Sequence, residues 1–285
     1  MRWAVTRRGL RAWATHGFAA FGALALLLQS YQAIWNRSLF PSHSLAVAAA
    51  TAAGSLLYGL VRARPGRAVT RDLRYPRCRV EIVPGDLFDE QDAHLVVGFT
   101  DVFDTDVTDD RIINARSVQG QFLHRVHGGD VAALDTQLSA ALDGVPGAVT
   151  VRREDKPLGK LSRYPIGTVA VLGNPRRSYF CVAYSTMTPA LVAQSSGDEL
   201  WLSLSRVWAA AHRHGQQGRL AMPVIGAGLA RFDALDRQGL IQLILLSFVA
   251  ASRQRLITTR LSIVVPPQEF DDLDRLELQA YLDSL

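Results

Sequence analysis

An acidic stretch at residues 96–110, VVGFTDVFDTDVTDD, places five aspartates directly after a hydrophobic run. Aspartates at this density are found in metal loops, in acid–base pairs, in ligand-binding loops and in solvated turns. The spacing does not match a calcium-binding loop, and no Gly followed by a closing Glu comes after it. No base stands at a convincing catalytic spacing, which argues against acid–base chemistry. The residues concerned are Asp101, Asp104, Asp106, Asp109 and Asp110.

A glycine-rich loop at residues 225–231, IGAGLAR, follows the hydrophobic run LAMPV and precedes a helical pattern. Glycines in such a loop permit positive φ and let backbone N–H groups face one oxyanion without a side chain in the way. The loop lacks the third glycine of a dinucleotide-binding fingerprint and the Gly-Lys-Ser/Thr of a P-loop. On the residues alone, a phosphate-binding loop and a plain tight turn are about equally compatible with it.

Two further loops carry polar groups at the ends of strand patterns. In NARSVQGQ, residues 114–121, Ser117 is expected to cap a helix whose N-terminus, with Gly120 nearby, would bind a phosphate oxygen. In PGDLF, residues 84–88, the Gly-Asp pair at a strand end can turn the chain and aim the Asp86 carboxylate at a ligand amine. Taken by itself, each loop is more typical of an ordinary helix cap or turn.

The elements that position these loops alternate between strand and helix from about residue 79 onward, which predicts an α/β domain with helices on both faces of a largely parallel sheet. A capping box, Ser196 with Glu199, marks one helix start. Ligands in such sheets bind at the carboxyl ends of the strands. Strands are predicted at 79–83, 94–99, 166–172, 179–184, 219–225 and 260–265, and helices at 131–142, 198–212, 235–252 and 271–282.

Two long uncharged runs precede this domain, at residues 12–35 and 38–61. Because about 20 apolar residues cross a bilayer as a helix, they predict a transmembrane hairpin over residues 1–65, with spans at about 12–35 and 42–61. A cleaved signal peptide followed by a buried Ala-rich helix is the alternative. A basic linker is expected at 66–78, and the α/β domain at 79–285. The second span is rich in small residues, which favours helix packing within the hairpin or self-assembly.

The charge distribution orients the hairpin. Residues 1–79 hold 12 basic residues and one acidic residue, whereas residues 80–285 hold 19 basic and 25 acidic residues. The arginines flank the two spans, so both termini and the α/β domain are expected on the cytoplasmic side of the inner membrane, with the arginines near anionic lipid. The acidic balance of the larger domain argues against nucleic acid as a partner. Cys78 and Cys181 form no zinc or disulfide pattern, so we expect no metal and no cofactor.

Together these pieces resemble a macro domain, the fold that binds ADP-ribose and its derivatives. The resemblance covers about residues 79–285 and rests on GDLFD at 85–89, the VVGF strand at 96–99 and PVIGAGLARF at 223–232. Further segments, GFTDVFDTDV, SVQGQF, KLSRYPIGTVAVL and AYSTMTPAL, are similar to one branch, the membrane-anchored effectors of bacterial Thoeris antiphage systems. The resemblance implies a three-layer α/β/α macro domain with a mixed, largely parallel sheet.

Carried over residue by residue, the resemblance implies that Asp86 meets the adenine amino group. Two loops would wrap the diphosphate, and Phe232 would border the distal ribose. Leu87, Phe99 and Thr100 are also expected at the ligand. The diphosphate loops comprise Ser117, Val118, Gln119, Gly120 and Gln121 on one side, and Gly226, Ala227, Gly228, Leu229 and Ala230 on the other.

Two positions depart from the family pattern. Pro266 stands where many macro domains place an aromatic residue against adenine. The sequence from Gly98 to Asp101, GFTD, replaces the Asn-Ala-Ala-Asn loop of macro-domain hydrolases, which weakens the case for hydrolysis. An acidic loop beside a dianion suits a ligand that also has a cationic end, so we expect Asp101 and Asp104 to contact that end and Asp109 and Asp110 to be solvated surface.

The resemblance implies a ligand-gated membrane effector without enzymatic activity. A partner enzyme with a TIR domain would make an ADP-ribose-type signal, in this branch a histidine conjugate. Binding would drive homo-oligomeric assembly, and the spans would then damage the bilayer and kill the cell. A membrane-tethered hydrolase of ADP-ribose conjugates is the alternative, and a plain membrane-anchored scaffold is a third possibility.

Overall fold

The structure is a computed structural model that describes residues 7–36, 43–63, 66, 68–227 and 235–285. The chain divides into two compact units. One comprises Met1–Arg67 with Asp274–Ala280, and the other comprises Ala68–Leu273 with Tyr281–Leu285. The predicted connecting turn at residues 37–41 lies outside the described residues.

The first unit contains two apolar helices, α1 (Arg7–Trp35) and α2 (Ser44–Arg62). Both are long and apolar enough to cross a bilayer, as the sequence predicts. They approach closely at Gly59, where a Cβ atom would lie 2.8 Å from the carbonyl oxygen of Trp13. The indole of Trp13 donates a hydrogen bond to the Leu56 carbonyl at 3.0 Å. Part of the small-residue surface of α2 therefore packs within the hairpin, whereas Gly54 faces open space.

The second unit is built on one mixed sheet with the strand order β1-β2-β10-β9-β3-β7-β6, and β8 pairs with β7. A separate two-stranded hairpin is formed by β4 and β5. The strands are β1 (Val69–Leu73), β2 (Cys78–Pro84), β3 (Ala93–Thr100), β4 (Val149–Thr150), β5 (Ser162–Arg163), β6 (Val169–Asn174), β7 (Arg177–Met187), β8 (Ala193–Gln194), β9 (Gln217–Pro223) and β10 (Thr258–Val265).

Five neighbouring strands, β2, β10, β9, β3 and β7, are mutually parallel, so their carboxyl ends share one edge of the sheet. The remaining pairs, β1 with β2, β6 with β7 and β8 with β7, are antiparallel. The prediction of a mixed, largely parallel sheet is confirmed. All three loops singled out in the sequence follow strands of the parallel set.

Helices cover both faces of the sheet, which makes three layers. The helices of this unit are α3 (Val118–His127), α4 (Val131–Leu142), α5 (Gly197–His214), α6 (Arg237–Ser252) and α7 (Pro267–Asp271), and α8 (Arg275–Ser284) begins in the segment that belongs to the first unit. One face of β3 packs through Leu95, Val97 and Phe99 into a core shared with α3 and α4. The opposite face is covered by α5 and α6, whose Trp208 and Phe248 rings lie 5.2 Å apart.

Most predicted elements are found with shifts of a few residues, and the helix expected at 198–212 begins with the predicted capping box. The helix expected at 271–282 is found as α8, which begins later, at Arg275, because Asp271 is instead the last residue of α7. The Asp274 carboxylate accepts hydrogen bonds from the N–H groups of Leu276 and Glu277, which starts the new helix.

The segment 66–78, expected as a linker, contains strand β1. Val69 pairs with Ile82 of β2 in antiparallel register, and Leu73 pairs with Cys78. The arginine-rich composition hides a strand alternation in which positions 69, 71 and 73 turn inward. The sheet therefore begins about ten residues earlier than the sequence predicts.

Candidate functional site

A cavity of about 680 Å³ lies at the carboxyl ends of the parallel strands, as expected for a ligand site in such a sheet. Its walls come from the ends of β3, β7 and β9, the loop at residues 110–114, the start of α3 and the residues that follow β10. Its volume is in the range that small-molecule and cofactor sites occupy.

The N-terminus of α3 forms one wall of the cavity. Ser117 is the N-cap, as predicted: its hydroxyl accepts from the Gly120 N–H at 3.1 Å and donates to the Asn114 carbonyl at 2.7 Å. The N–H groups of Val118 and Gln119 have no acceptor in the part of the chain that the structure describes. Free N–H groups at a helix N-terminus favour an anion.

Gly120 has a different task from the one expected of it. A Cβ atom there would lie 2.5 Å from the Asn114 carbonyl oxygen and 2.7 Å from the Ala115 carbonyl oxygen. Glycine at this position therefore lets the preceding loop rest against the helix, and Gly120 itself is not part of the cavity wall. Its two helical neighbours, Gln119 and Gln121, do line the cavity.

The turn after β9 forms the opposite wall, with Gly226 and Ala227. Gly226 has φ +90°, in the left-handed region that favours glycine. A Cβ atom there would also lie 3.2 Å from Leu240 and 3.3 Å from Leu200. The remaining predicted residues of this loop, Gly228, Leu229, Ala230 and Phe232, lie outside the described residues.

Three arginines line the cavity. Arg111 and Arg116 are exposed at its rim, and the Arg116 guanidinium has no partner among the described residues. Arg237, the first residue of α6, pairs with Glu269 at 3.0 Å, and its Nε atom is buried without a hydrogen-bond partner in the described chain. The cavity therefore combines helix N–H groups with cationic side chains, a combination that suits phosphate.

A β-bulge shapes the end of the cavity next to β7. Phe99 pairs with Ala183, but the next residue of β3, Thr100, pairs with Ser185, which leaves Tyr184 as the extra residue. The Tyr184 ring lies over Gly98, where a Cβ atom would come within 2.6 Å of the ring. Burial raises the pKa of the Tyr184 phenol to about 12, so the phenol stays neutral.

Two buried hydroxyls stand at this end of the cavity. The Thr100 hydroxyl has no hydrogen-bond partner among the described residues. Ser185 is fully buried, and its hydroxyl lies next to the Tyr184 phenol, with which it interacts. Both hydroxyl oxygens are buried from solvent, so they lie behind the surface of the cavity instead of facing it.

The acidic loop has internal partners. The Asp104 carboxylate is 1% exposed and pairs with the fully buried Lys156 ammonium at 2.9 Å. It also accepts from the Lys160 N–H at 2.6 Å. Asp101 pairs with Arg163 and accepts from the Met187 N–H at 2.9 Å. Neither carboxylate lines the cavity, so their geometry favours a structural role, and contact with a cationic ligand group stays a prediction.

The residues expected near adenine lie outside the cavity wall. The Asp86 carboxylate accepts from the Phe88 N–H at 2.9 Å and forms an ion pair with Arg125, whose guanidinium also bonds Asp89 at 2.9 Å. Leu87 is buried in the core shared with α3 and α4. An adenine contact by Asp86 therefore requires that Arg125 share or release its carboxylate.

The structure brings together eight of the predicted residues and adds others that sequence reasoning missed. Phe99 lines the cavity, although its ring packs on Phe103 and Phe122 in the core. The missed residues include Tyr184 and Ser185, for which Gly98 inside a strand pattern was the available signal. The eight are Phe99, Thr100, Ser117, Val118, Gln119, Gln121, Gly226 and Ala227.

The wall supplies binding groups rather than a nucleophile. Among the described residues no group of three or more metal-ligating side chains occurs, and the wall contains no histidine or cysteine. Cys78 and Cys181 are buried, and burial raises the pKa of the Cys78 thiol to about 11. The arrangement can hold an anion between the free N–H groups at the start of α3 and the glycine turn at Gly226.

The α/β domain matches a known protein family over most of its length. The family model described as "Thoeris protein ThsA, Macro domain" matches residues 80–266. A curated relative, the Thoeris protein ThsA of Bacillus amyloliquefaciens (strain Y2), is 28% identical over 155 residues, which is 53% of this chain and 50% of that protein. The chain thus spans about half the length of that relative.

Solved structures share the fold at low sequence identity. A variant of the Oceanobacillus iheyensis macrodomain with ADPR is similar with a TM-score of 0.51 and 12% identity, over 76% of this chain and 97% of that one. Another variant of the same macrodomain is similar with a TM-score of 0.51 and 11% identity, over 78% and 98% of the two chains. At this identity the likeness establishes the macro-domain fold alone.

Proposed function

We propose that this chain, which belongs to the ThsA macro-domain family, is a signal-binding membrane effector of a Thoeris antiphage system. In this proposal the macro domain binds an ADP-ribose-derived nucleotide and does not turn it over. The signal would come from a partner enzyme with a TIR domain. The membrane unit would then respond to the occupied domain.

One observation carries the proposal: the N-terminus of α3 and the Gly226 turn face one cavity of about 680 Å³. A diphosphate is a dianion that needs N–H donors from more than one side, and helix N-termini and glycine turns supply them. The unpaired Arg116 at the rim adds charge of the matching sign. One Oceanobacillus iheyensis macrodomain variant of the same fold is a structure with ADPR, which supports the same ligand class here.

The signal that we propose is a histidine conjugate of ADP-ribose. The sequence resemblance suggests that conjugate, and the cavity extends beyond the diphosphate walls to β7, where it has room for a further group. Non-enzymatic binding is supported by the wall itself, since its two described carboxylates are engaged. Asp110 accepts from the Ala115 N–H at 2.6 Å, and Glu269 pairs with Arg237 at 3.0 Å.

The membrane part of the proposal rests on the two helices of the first unit. Both helices are long enough and apolar enough to span a bilayer. Arginines dominate the flanks of the pair, which favours a cytoplasmic macro domain in the inner membrane. The ligand must bind the assembled state more tightly than the resting state, because equal affinity for both would shift nothing. Homo-oligomeric assembly and membrane damage are the proposed response.

The test of binding uses the full chain in lipid nanodiscs. We expect calorimetric titration with ADP-ribose and with histidine-ADP-ribose to give saturable binding, and chromatography of the same samples to show both nucleotides unchanged. Multiple turnover of the conjugate would instead favour a membrane-tethered hydrolase. Absence of binding to both nucleotides would overturn the effector and the hydrolase alike.

The test of the response uses the full chain in dye-loaded liposomes. Addition of histidine-ADP-ribose is expected to release dye, and Arg116→Ala is expected to require more nucleotide for the same release. Arg176→Ala is the matched control, because Arg176 is exposed on a turn outside the cavity wall. Binding without dye release would contradict the membrane part of the proposal, whereas the proposed ligand class would stand.

A further inference from the structure

We propose that the edge of the sheet opposite the cavity binds anionic lipid head groups and docks the macro domain on the bilayer. The contact is centred on a second pocket, of about 500 Å³, between the turn that joins β1 to β2 and the end of α6. This inference goes beyond nucleotide binding and rests only on the membrane part of the proposed function. The residues of the pocket belong to the second unit, and they include Arg71, Arg74, Tyr75 and Arg253.

The edge opposite the cavity gathers arginines from distant parts of the chain. Because β2, β10 and β9 are parallel neighbours about 4.8 Å apart, the segments that lead into them lie side by side. Arg213, Arg253 and Arg255 are far from the two spans in the sequence and reach this edge only through the fold. The exposed arginines of the basic edge are Arg74 and Arg77 before β2, Arg253 and Arg255 before β10, and Arg213 before β9.

The basic edge has few counter-charges of its own. The one acidic residue of β1, Asp72, is occupied by the Nε and Nη2 atoms of Arg79 at 2.8 and 2.9 Å. Residues 80–285 hold 25 acidic and 19 basic residues, so unpaired arginines at one edge reflect the fold and not the composition. Four of the five side chains have no hydrogen-bond or ion-pair partner in the described part of the chain: Arg74, Arg77, Arg213 and Arg255.

The pocket offers donors for one phosphate group. Arg71 and Arg253 each donate one hydrogen bond within the protein, to the main-chain oxygens of Leu282 and Leu285. A guanidinium group has five N–H donors, so most donors of both side chains stay available. Arg74 adds a third guanidinium to the same pocket. Arginine binds phosphate oxygens through paired N–H groups, and the pocket therefore suits the phosphate of a lipid head group.

The exposed ring of Tyr75 favours a lipid over an anion in solution. Tyr75 is 89% exposed on the turn between β1 and β2, with an arginine on each side of it in the sequence. Tyrosine is enriched at membrane–water interfaces, where its ring lies at the level of the head groups. Leu73 and Val249 extend the apolar part of the pocket. A bilayer surface would bind the ring and the arginines together, whereas a free anion would bind only the arginines.

The bilayer lies within reach of the basic edge. Helix α2, the predicted second span, ends at Arg62, and β1 begins at Val69. A chain of this length extends to about 25 Å at most, and the five residues of β1 add about 17 Å. The anionic leaflet next to the end of a span attracts basic groups that lie close to it. An anionic lipid surface is therefore the partner to which the position and the chemistry of the basic edge both point.

The experiment places a fluorescent probe at Tyr75 in the full chain. Tyr75→Cys is labelled with an environment-sensitive fluorophore and reconstituted in nanodiscs of phosphatidylcholine, or of an equal mixture of phosphatidylcholine and phosphatidylglycerol. Cys78 and Cys181 are buried, so the label attaches to the new thiol. We expect the emission to shift to the blue only in the mixed nanodiscs. A label on Ser139→Cys, exposed on α4, should report no difference.

Substitution of single arginines in the labelled chain measures their contribution. Arg74→Gln should lower the ratio of docked to undocked domain about five-fold, or about 1 kcal/mol, the contribution of one arginine near an anionic leaflet. Arg74 has no protein partner in the described chain, so this variant should fold normally. Arg253→Gln tests the pocket, and thermal melting controls for the lost bond to Leu285. Arg206→Gln, exposed on α5, is the matched control and should leave the ratio unchanged.

The outcomes separate lipid docking from its alternatives and from nucleotide binding. Equal emission in both kinds of nanodisc, or equal losses for Arg74→Gln and Arg206→Gln, would overturn the basic edge as a lipid surface. A blue shift in phosphatidylcholine nanodiscs on addition of glycerol 3-phosphate or duplex DNA would overturn the lipid assignment in favour of that anion. Each of these results would leave nucleotide binding in place. Failure of the chain to enter nanodiscs would overturn the membrane part of the proposed function, and lipid docking with it.

Discussion

Thr100 and Asp101 are consecutive residues at the end of β3, yet their side chains are in opposite situations. Asp101 is charged, and it is held by Arg163 and by the Met187 N–H. Thr100 is neutral and lines the cavity, and its buried hydroxyl has no protein partner among the described residues. The acidic loop, from Asp101 to Asp110, and the cavity end next to β7 are thus neighbours with different surroundings.

The difference separates two kinds of buried polar group, carboxylates saturated by protein partners and a hydroxyl without one. The aspartates are the most conspicuous chemistry of the sequence, but the two that are buried are neutralised inside the fold. A buried charge that is already paired is not available to bind a ligand group. A buried hydroxyl without a partner has its full hydrogen-bonding capacity available.

The largest expected effect concerns the buried Asp104 carboxylate and its structural role. Asp104→Ala would leave the Lys156 ammonium buried without its counter-charge, and we expect the free energy of unfolding to fall by about 3–5 kcal/mol. Urea denaturation of the full chain in detergent, followed by circular dichroism, measures it. Asp155→Ala is the control: its exposed ion pair with Arg152 is worth at most about 1 kcal/mol. A small loss for Asp104→Ala would mean that the carboxylate is free for a ligand.

A smaller loss is expected when the β-bulge at Tyr184, at the cavity end next to β7, is disturbed. In Gly98→Ala the new Cβ would lie 2.6 Å from the Tyr184 ring, so the ring must move. Overpacking of this kind costs about 1–3 kcal/mol in the free energy of unfolding. The same denaturation assay applies, with calorimetry of histidine-ADP-ribose binding, which should weaken.

Gly85→Ala is the matched control for Gly98→Ala. Its Cβ would lie 3.6 Å from Val264, an ordinary contact, and it should leave stability within about 0.5 kcal/mol. If Gly98→Ala and Gly85→Ala behave alike, the close approach of Tyr184 to the β3 backbone has no role in shaping the cavity end next to β7.

Substitution of Arg116 at the rim of the cavity is expected to change only the affinity for the nucleotide. Arg116→Ala removes an exposed, unpaired cation, and we expect the affinity for ADP-ribose to fall by about five-fold, or about 1 kcal/mol, at low salt. The loss should shrink as salt is added, since exposed charges are screened. Calorimetry at two salt concentrations measures both. A loss that is independent of salt would indicate that Arg116 acts through packing instead of charge.

The smallest effect concerns His94, a buried polar group that is saturated like the aspartates. Burial lowers the pKa of its imidazole, and its Nδ1 accepts from the Ser178 N–H at 2.9 Å. Between the ordinary and the lowered pKa the unfolded chain binds more protons than the folded chain, so stability falls as the pH drops below about 6.5. Denaturation across that range should show a smaller slope in His94→Gln. An identical slope in the variant would contradict a titrating role for His94.

The sheet and most helices could be predicted because their signals are local. The β-branched runs fall within β2, β3, β7 and β10, and the Ser196 capping box begins α5. The partners of the aspartates could not be predicted, since Lys156 is 52 residues from Asp104 and Arg163 is 62 residues from Asp101. The folded hairpin of β4 and β5 brings that basic segment to the acidic loop.

The cavity could be predicted in part. The helix cap at Ser117 and the left-handed turn at Gly226 could be predicted from the sequence, because both depend on local backbone chemistry. Tyr184 and Ser185 were not, because they sit in a strand whose register shifts by one residue. A one-residue shift reverses which side chains face the cavity. Gly98, inside β3, was the one local sign that another group lies close to the backbone.

The most direct test of the central claim is hydrogen–deuterium exchange of the full chain in nanodiscs, with and without ADP-ribose. If the diphosphate binds between the start of α3 and the Gly226 turn, the amides of Val118 and Gln119 and that of Gly226 should exchange more slowly in the presence of the nucleotide, whereas that of Ala227 already donates to the Val224 carbonyl. The exposed segment from Arg74 to Arg77 should be unaffected. Binding of ADP-ribose without protection at both walls would contradict this account of the site.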